Sequence, residues 1–162
     1  MEKIKKEYLQ SAMFGFNDAL VSTTGVIVGV STGTNNKQVV ILAGVVTILV
    51  EALSMGTGQY LSSRSAHQLD KNPSVRVPTI SGLIMFGSYF LAGLVPLLAI
   101  VLSPVNYGRN IAIIAALVCL LALGYAKGKI VKVSPIISAL EVFVIGGITT
   151  AIGIIAGKIF AV

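Results

Sequence analysis

Phe14-Gly15-Phe16-Asn17-Asp18-Ala19-Leu20-Val21-Ser22-Thr23-Thr24-Gly25-Val26-Ile27-Val28-Gly29-Val30-Ser31-Thr32-Gly33 is long and apolar enough to cross a bilayer as a helix, for which roughly 20 residues are needed. It nevertheless carries an acid, Asp18. A charged side chain near the bilayer centre costs about 2.5–3.5 kcal/mol even on a lenient insertion scale. A chain that is 55% hydrophobic has many cheaper residues for that position. The acid therefore reads as functional, with cations or protons as its natural partners. Helical spacing puts Gly15, Asp18, Ser22, Gly25 and Gly29 on one face. Gly25, Gly29 and Gly33 form a doubled G-x-x-x-G, which lets another helix approach to backbone contact, and a bulky residue at Gly25 or Gly29 is expected to weaken a dimer. Asp18 thus lies on a face that packs rather than one that meets lipid.

The rest of the chain fits this reading. It has 162 residues, of which 11% are charged, and a mean hydropathy of +0.91. That is the composition of a membrane protein with no room for a separate soluble domain. Seventeen glycines and no tryptophan suit closely approaching helices. The expected fold is all-α and polytopic, one transmembrane domain over 1–162. Its spans are expected at about 12–32, 39–62, 80–102, 111–126 and 136–160, with a short cytoplasmic loop over 63–79. Gly33-Thr34-Asn35-Asn36-Lys37, Asp70-Lys71-Asn72-Pro73 with Pro78, Ser103-Pro104 and Ser134-Pro135 supply the breaks.

Basic residues set the orientation. Lys3, Lys5, Lys6, Arg64, Lys71, Arg76, Lys127, Lys129 and Lys132 fall on one side, against Lys37, Arg109 and Lys158 on the other. Nine against three puts the N-terminus in the cytoplasm and the C-terminus outside. The net charge of +6 then marks the cytoplasmic face and calls for lipid headgroups, not nucleic acid. The first apolar stretch holds Asn17 and Asp18 and lacks a small-x-small cleavage site, so it reads as a retained span and not as a signal peptide. Cys119, the one cysteine, reads as an inert apolar residue.

The second span carries further donors. Glu51, Met55 and Gln59 recur every four residues and share a face, with Ser62 and Ser63 continuing it toward the cytoplasm. Carboxylate and amide oxygens alone suit magnesium or calcium; a thioether sulfur shifts the preference toward ferrous iron or manganese. The expected metal ligands are therefore Asp18, Glu51, Met55 and Gln59. Asn17, Ser22, Ser62 and Glu141 are the candidates for a proton or ion pathway. Glu141 lies roughly 10 Å from the cytoplasmic end of the fifth span, where it is expected to pair with Lys129 or Lys132 or to relay protons. His67 reads as a solvated loop histidine. No catalytic triad, phosphate loop or paired Cys/His zinc pattern is present, so neither an enzyme nor a resident cofactor is expected.

Phe16-Asn17-Asp18-Ala19-Leu20-Val21-Ser22-Thr23-Thr24-Gly25 followed by Ser54-Met55-Gly56-Thr57-Gly58-Gln59-Tyr60-Leu61-Ser62 resembles the vacuolar iron transporter family, in a short prokaryotic-type form. The resemblance implies a five-span homodimer that exports ferrous iron or manganese from the cytosol in exchange for protons. It further implies that Asp18 and Met55 line an ion path at the dimer interface. Ala19 stands where the family has glycine, and Gln59 where it generally has glutamate, which removes a charge and a protonatable group. Many relatives carry a glutamate-rich metal-collecting domain where this chain has only the segment 66–78, with Asp70 as its acid.

The resulting expectation is a homodimeric multi-pass protein of a prokaryotic plasma membrane that moves Fe2+ or Mn2+ outward against protons. Metal or protons would occupy the same carboxylates in turn. An odd number of spans leaves the second copy to complete the path. A passive cation pathway with the same lining, and a non-transporting membrane scaffold that docks through its glycine faces, are the rival expectations.

Overall fold

A computed structural model describes residues 2–34, 36–70, 75–104 and 107–161. They form five α-helices: α1 (Glu2–Gly33), α2 (Lys37–Leu69), α3 (Arg76–Leu102), α4 (Gly108–Val131) and α5 (Pro135–Ile159). All five are long and apolar enough to cross a membrane. The shortest, α4, has 24 residues, which at 1.5 Å per residue extends ~36 Å and exceeds a ~30 Å hydrocarbon core. The fold is thus the expected all-helical, five-span bundle, and no strand occurs among the described residues.

The helices run beyond the apolar stretches that announced them. α1 begins at Glu2 and α2 continues to Leu69, so the polar link that was expected over 63–79 shrinks to a short connection between Leu69 and Arg76. Hydropathy marks where a helix leaves the hydrocarbon, not where its hydrogen bonds end. Ser63 and His67 accordingly sit on α2. Of the turn residues named above, Asn35, Lys71, Asn72 and Pro73 lie outside the described residues. Asn36 caps α2, its side chain accepting from the Gln38 and Val39 amides. Lys37 then donates to the Val101 and Ser103 carbonyls at 3.0 and 2.9 Å, clasping the start of α2 to the end of α3.

α1 packs against all four other helices, and α3 against α1, α2 and α4; α2 touches neither α4 nor α5. Two apolar clusters fill the interior. One holds Ala19, Leu20, Ala52, Tyr89, Ala92, Leu120 and Val142 at mid-bundle. The other, toward the α1–α2 turn, holds Ile27, Val40, Ile48, Leu97, Ile100 and Ala112. Outward faces carry Leu42, Val46 and Leu53 on α2, Ile114 and Val118 on α4, and Ile148 and Ile152 on α5. Such an apolar exterior is stable only in lipid.

The glycine stripe of α1 meets α5 of the same chain. A β-carbon on Gly29 would lie 3.0 Å from the Gly153 carbonyl oxygen, and one on Gly157 only 2.1 Å from that of Gly29. Gly25 and Gly33 face Thr149 and Gly157. Within one chain the helix that Gly25, Gly29 and Gly33 meet is α5. A G-x-x-x-G fixes the depth of approach but does not name the helix that approaches.

Candidate functional site

Asp18 lies midway along α1 and Glu51 midway along α2, each about four turns, or ~22 Å, from the turn that joins the two helices. Equal depth on neighbouring antiparallel helices brings the two carboxylates within Coulombic range of one another. Both are half-buried. Two like charges so placed repel unless a cation or proton joins them.

Glu51 is held by hydroxyls from two other helices. Ser22 on α1 donates to Glu51 Oε2 at 3.0 Å, and the Tyr89 phenol on α3 donates to the same oxygen. The two hydroxyl oxygens are themselves 2.6 Å apart. Tyr89 is fully buried, its ring packed among Ala19, Leu20, Ala52 and Ala92. Both bonds end on Oε2; among the described residues Oε1 accepts none. The carboxylate is therefore oriented by one oxygen with the other available to a ligand.

Met55, one turn beyond Glu51, is half-buried and packs against the cluster around Tyr89. Gln59 follows at the next turn and is also half-buried. Of the expected ligands, Asp18 and Glu51 are brought together, Met55 borders them, and Gln59 continues the line along α2. Ser22 joins them. Asn17 and Glu141 do not: with Gln10 and Lys127 they line a separate groove of about 280 Å³ between α1, α4 and α5. Glu141 pairs there with Lys127 at 3.4 Å, not with Lys129 or Lys132, because Lys127 is the basic residue that α4 turns toward that groove. Ser62 is exposed on the outer face of α2.

Tyr89 is the residue that the sequence reading missed. Its signal was available: a phenol inside an apolar span needs a hydrogen-bond partner, and a membrane interior offers few. His67 also departs from its expected place. It sits on α2 with its side chain only 19% exposed, against Glu7 of α1.

No group of three or more His, Cys, Asp or Glu close enough to hold a metal occurs among the described residues. One chain supplies two acids, a thioether and an amide on a half-open face.

Comparisons with known proteins give the family. Vacuolar iron transporter homolog 3 of Arabidopsis thaliana is 27% identical over 161 residues, covering 91% of this chain and 80% of the relative. Homolog 4 of the same plant is 24% identical over 155 residues, covering 88% and 78%. The vacuolar iron transporter of Centaurea cyanus is 23% identical over 207 residues, covering 90% and 84%. A profile of the VIT family matches residues 9–76 and 66–158. The chain is a multi-pass membrane protein that belongs to the VIT family, a family of transporters and not of enzymes.

Proposed function

We propose that the protein exports a divalent transition metal, Fe2+ or Mn2+, from the cytosol in exchange for protons, and that it does so as a homodimer. The observation that carries this is a pair of acids, Asp18 and Glu51, at one depth on neighbouring helices and within Coulombic range of each other. A divalent ion between them is neutralised by the two carboxylates. Met55 sulfur and Gln59 amide oxygen replace part of its water. When the ion leaves, protons take its place on the same carboxylates. Alternate occupation of one site by metal or protons couples the two gradients without a further device.

The dimer rests on what one chain leaves open. Half-buried acids cannot face acyl chains cheaply, and one chain offers fewer donors than a six-coordinate ion takes. The open face beside them carries Ser54, Gly58 and Ser62 on α2, spaced four residues apart and exposed. A β-carbon on Gly58 meets nothing within 4 Å, so a second copy of α2 has room to approach there. Asn17 and Glu141, in their own groove, are assigned to proton relay and not to metal.

The plant relatives are named for the vacuole; the short connections here fit the plasma membrane of a prokaryote. In either membrane the basic loops face the cytosol. The deciding experiment is Mn2+ and Fe2+ flux into proteoliposomes with an acidic lumen. Flux that concentrates metal, and that stops when a protonophore collapses the gradient, supports exchange; downhill flux indifferent to the protonophore would leave a passive pathway. Metal movement at the wild-type rate in Asp18→Asn would remove the site altogether.

A further inference from the structure

Eleven residues before Asp18, on the same stripe of α1 and ~16 Å along its axis, Glu7 gathers side chains from two other helices. Ser63 of α2 and Ser81 of α3 both donate to Glu7 Oε1, the latter at 3.0 Å. Both serines are buried, at 7% and 0% exposure. His67, one turn beyond Ser63, places Nδ1 2.9 Å from the Ser63 carbonyl oxygen. A carbonyl only accepts, so Nδ1 carries a hydrogen and Nε2 is the ring atom left for a ligand. Nε2 lies 4.0 Å from the other Glu7 oxygen, Oε2.

At that distance, too long for a hydrogen bond, the pair can be held by charge on the ring itself or by a cation lying between the two atoms. The gap matches a metal ion. Nitrogen and oxygen ligands at ~2.0–2.2 Å from one divalent ion stand ~3–4 Å apart, from adjacent to nearly opposite coordination positions. The surroundings match as well. Each ligand is oriented through its remote atom, Nδ1 by a backbone carbonyl and Oε1 by two hydroxyls, which is how metal-binding imidazoles and carboxylates are commonly held. Imidazole with carboxylate suits first-row divalent ions.

We propose that Glu7 and His67 form a divalent transition-metal loading site at the end of the bundle where α1 begins, separate from the Asp18–Glu51 pair. Two protein ligands leave the remaining positions to water, so the ion is held weakly and can be passed on. The site restores, within the bundle, some of the metal capture that the short 66–78 segment lacks. Its place at the intake side rests on the export reading above; the binding itself does not.

His67 is the one histidine of the chain, so its ring protons report on this site alone in tag-free protein. Co2+ added to full-length protein in nanodiscs should shift the His67 imidazole resonances outside the diamagnetic range. The shifted signals should persist in Asp18→Asn. In Glu7→Gln the Co2+ concentration needed should rise by at least the roughly tenfold that losing even an outer partner costs. In proteoliposomes His67→Gln should raise the KM for Mn2+ by a similar roughly tenfold factor while leaving the maximal rate unchanged. Where Glu7→Gln fails to fold, because Ser63 and Ser81 depend on it, His67→Gln, which leaves the two serine hydrogen bonds to Glu7 in place, still decides. Imidazole resonances that stay diamagnetic at millimolar Co2+ and titrate as an ion pair with Glu7 would overturn the site. A KM unmoved by His67→Gln would overturn its role in loading. Resonance shifts without any transport by the wild-type protein would keep the site and defeat the export reading instead.

Discussion

Tyr89 and Glu51 show how much a single hydroxyl can settle in a membrane interior. The phenol fixes the carboxylate by one oxygen, and a hydrogen bond to a charged group is worth about 1.5–3 kcal/mol. Tyr89→Phe keeps the ring and its packing but frees the carboxylate to rotate. The expected result is a folded protein, less stable to thermal denaturation by that amount, whose KM for Mn2+ rises roughly tenfold with a smaller change in maximal rate. Asp18→Asn and Glu51→Gln remove the charge itself and should each bring Mn2+ flux in proteoliposomes to the level of empty vesicles. The acids were legible in the sequence because a charge in an apolar run is costly to place there. The phenol left a weaker signal, its need for a hydrogen-bond partner, and nothing in the sequence names Glu51 as that partner. His67 was misplaced for another reason: a polar stretch was taken for a loop where the helix simply continues past the hydrocarbon.

The α1–α5 seam and the open stripe of α2 make opposite predictions for the same kind of change. A side chain at Gly157 collides with the backbone of Gly29, and overpacking costs about 1–3 kcal/mol, more where backbone must yield. Gly157→Leu should therefore lower the yield of monodisperse protein on size-exclusion chromatography. Gly58→Leu meets empty space and should leave each copy folded, while displacing the dimer–monomer balance toward monomer. A dimer fraction unaltered by Gly58→Leu would move the interface elsewhere. The helices themselves were readable from hydropathy and from the Gly, Pro and Asn breaks. Their partners were not. Small residues record that something approaches closely, and α1 could have met α5 or a second α1 by the same pattern. Only the three-dimensional arrangement separates these.

For the whole molecule, the exposed stripe of α2 makes a test of the proposed dimer possible. In a Cys119→Ser background, Gly58→Cys should yield a disulfide-linked dimer in the membrane under mild oxidation. Absence of that species would argue that α2 faces lipid. Composition announced a membrane protein, and the paired motifs of α1 and α2 announced where its chemistry sits. Neither announced which surfaces the chain keeps for itself. Backbone-depth contacts bind α1 to α5, and they bind α2 to α3, where a β-carbon on Gly82 would lie 2.7 Å from the Gly56 carbonyl oxygen. Helices interlocked so deeply resist sliding past one another. If the protein works as the proposed dimer, exposure of the carboxylates to one side and then the other is expected to come from protomers rocking against each other, with the hinge between copies.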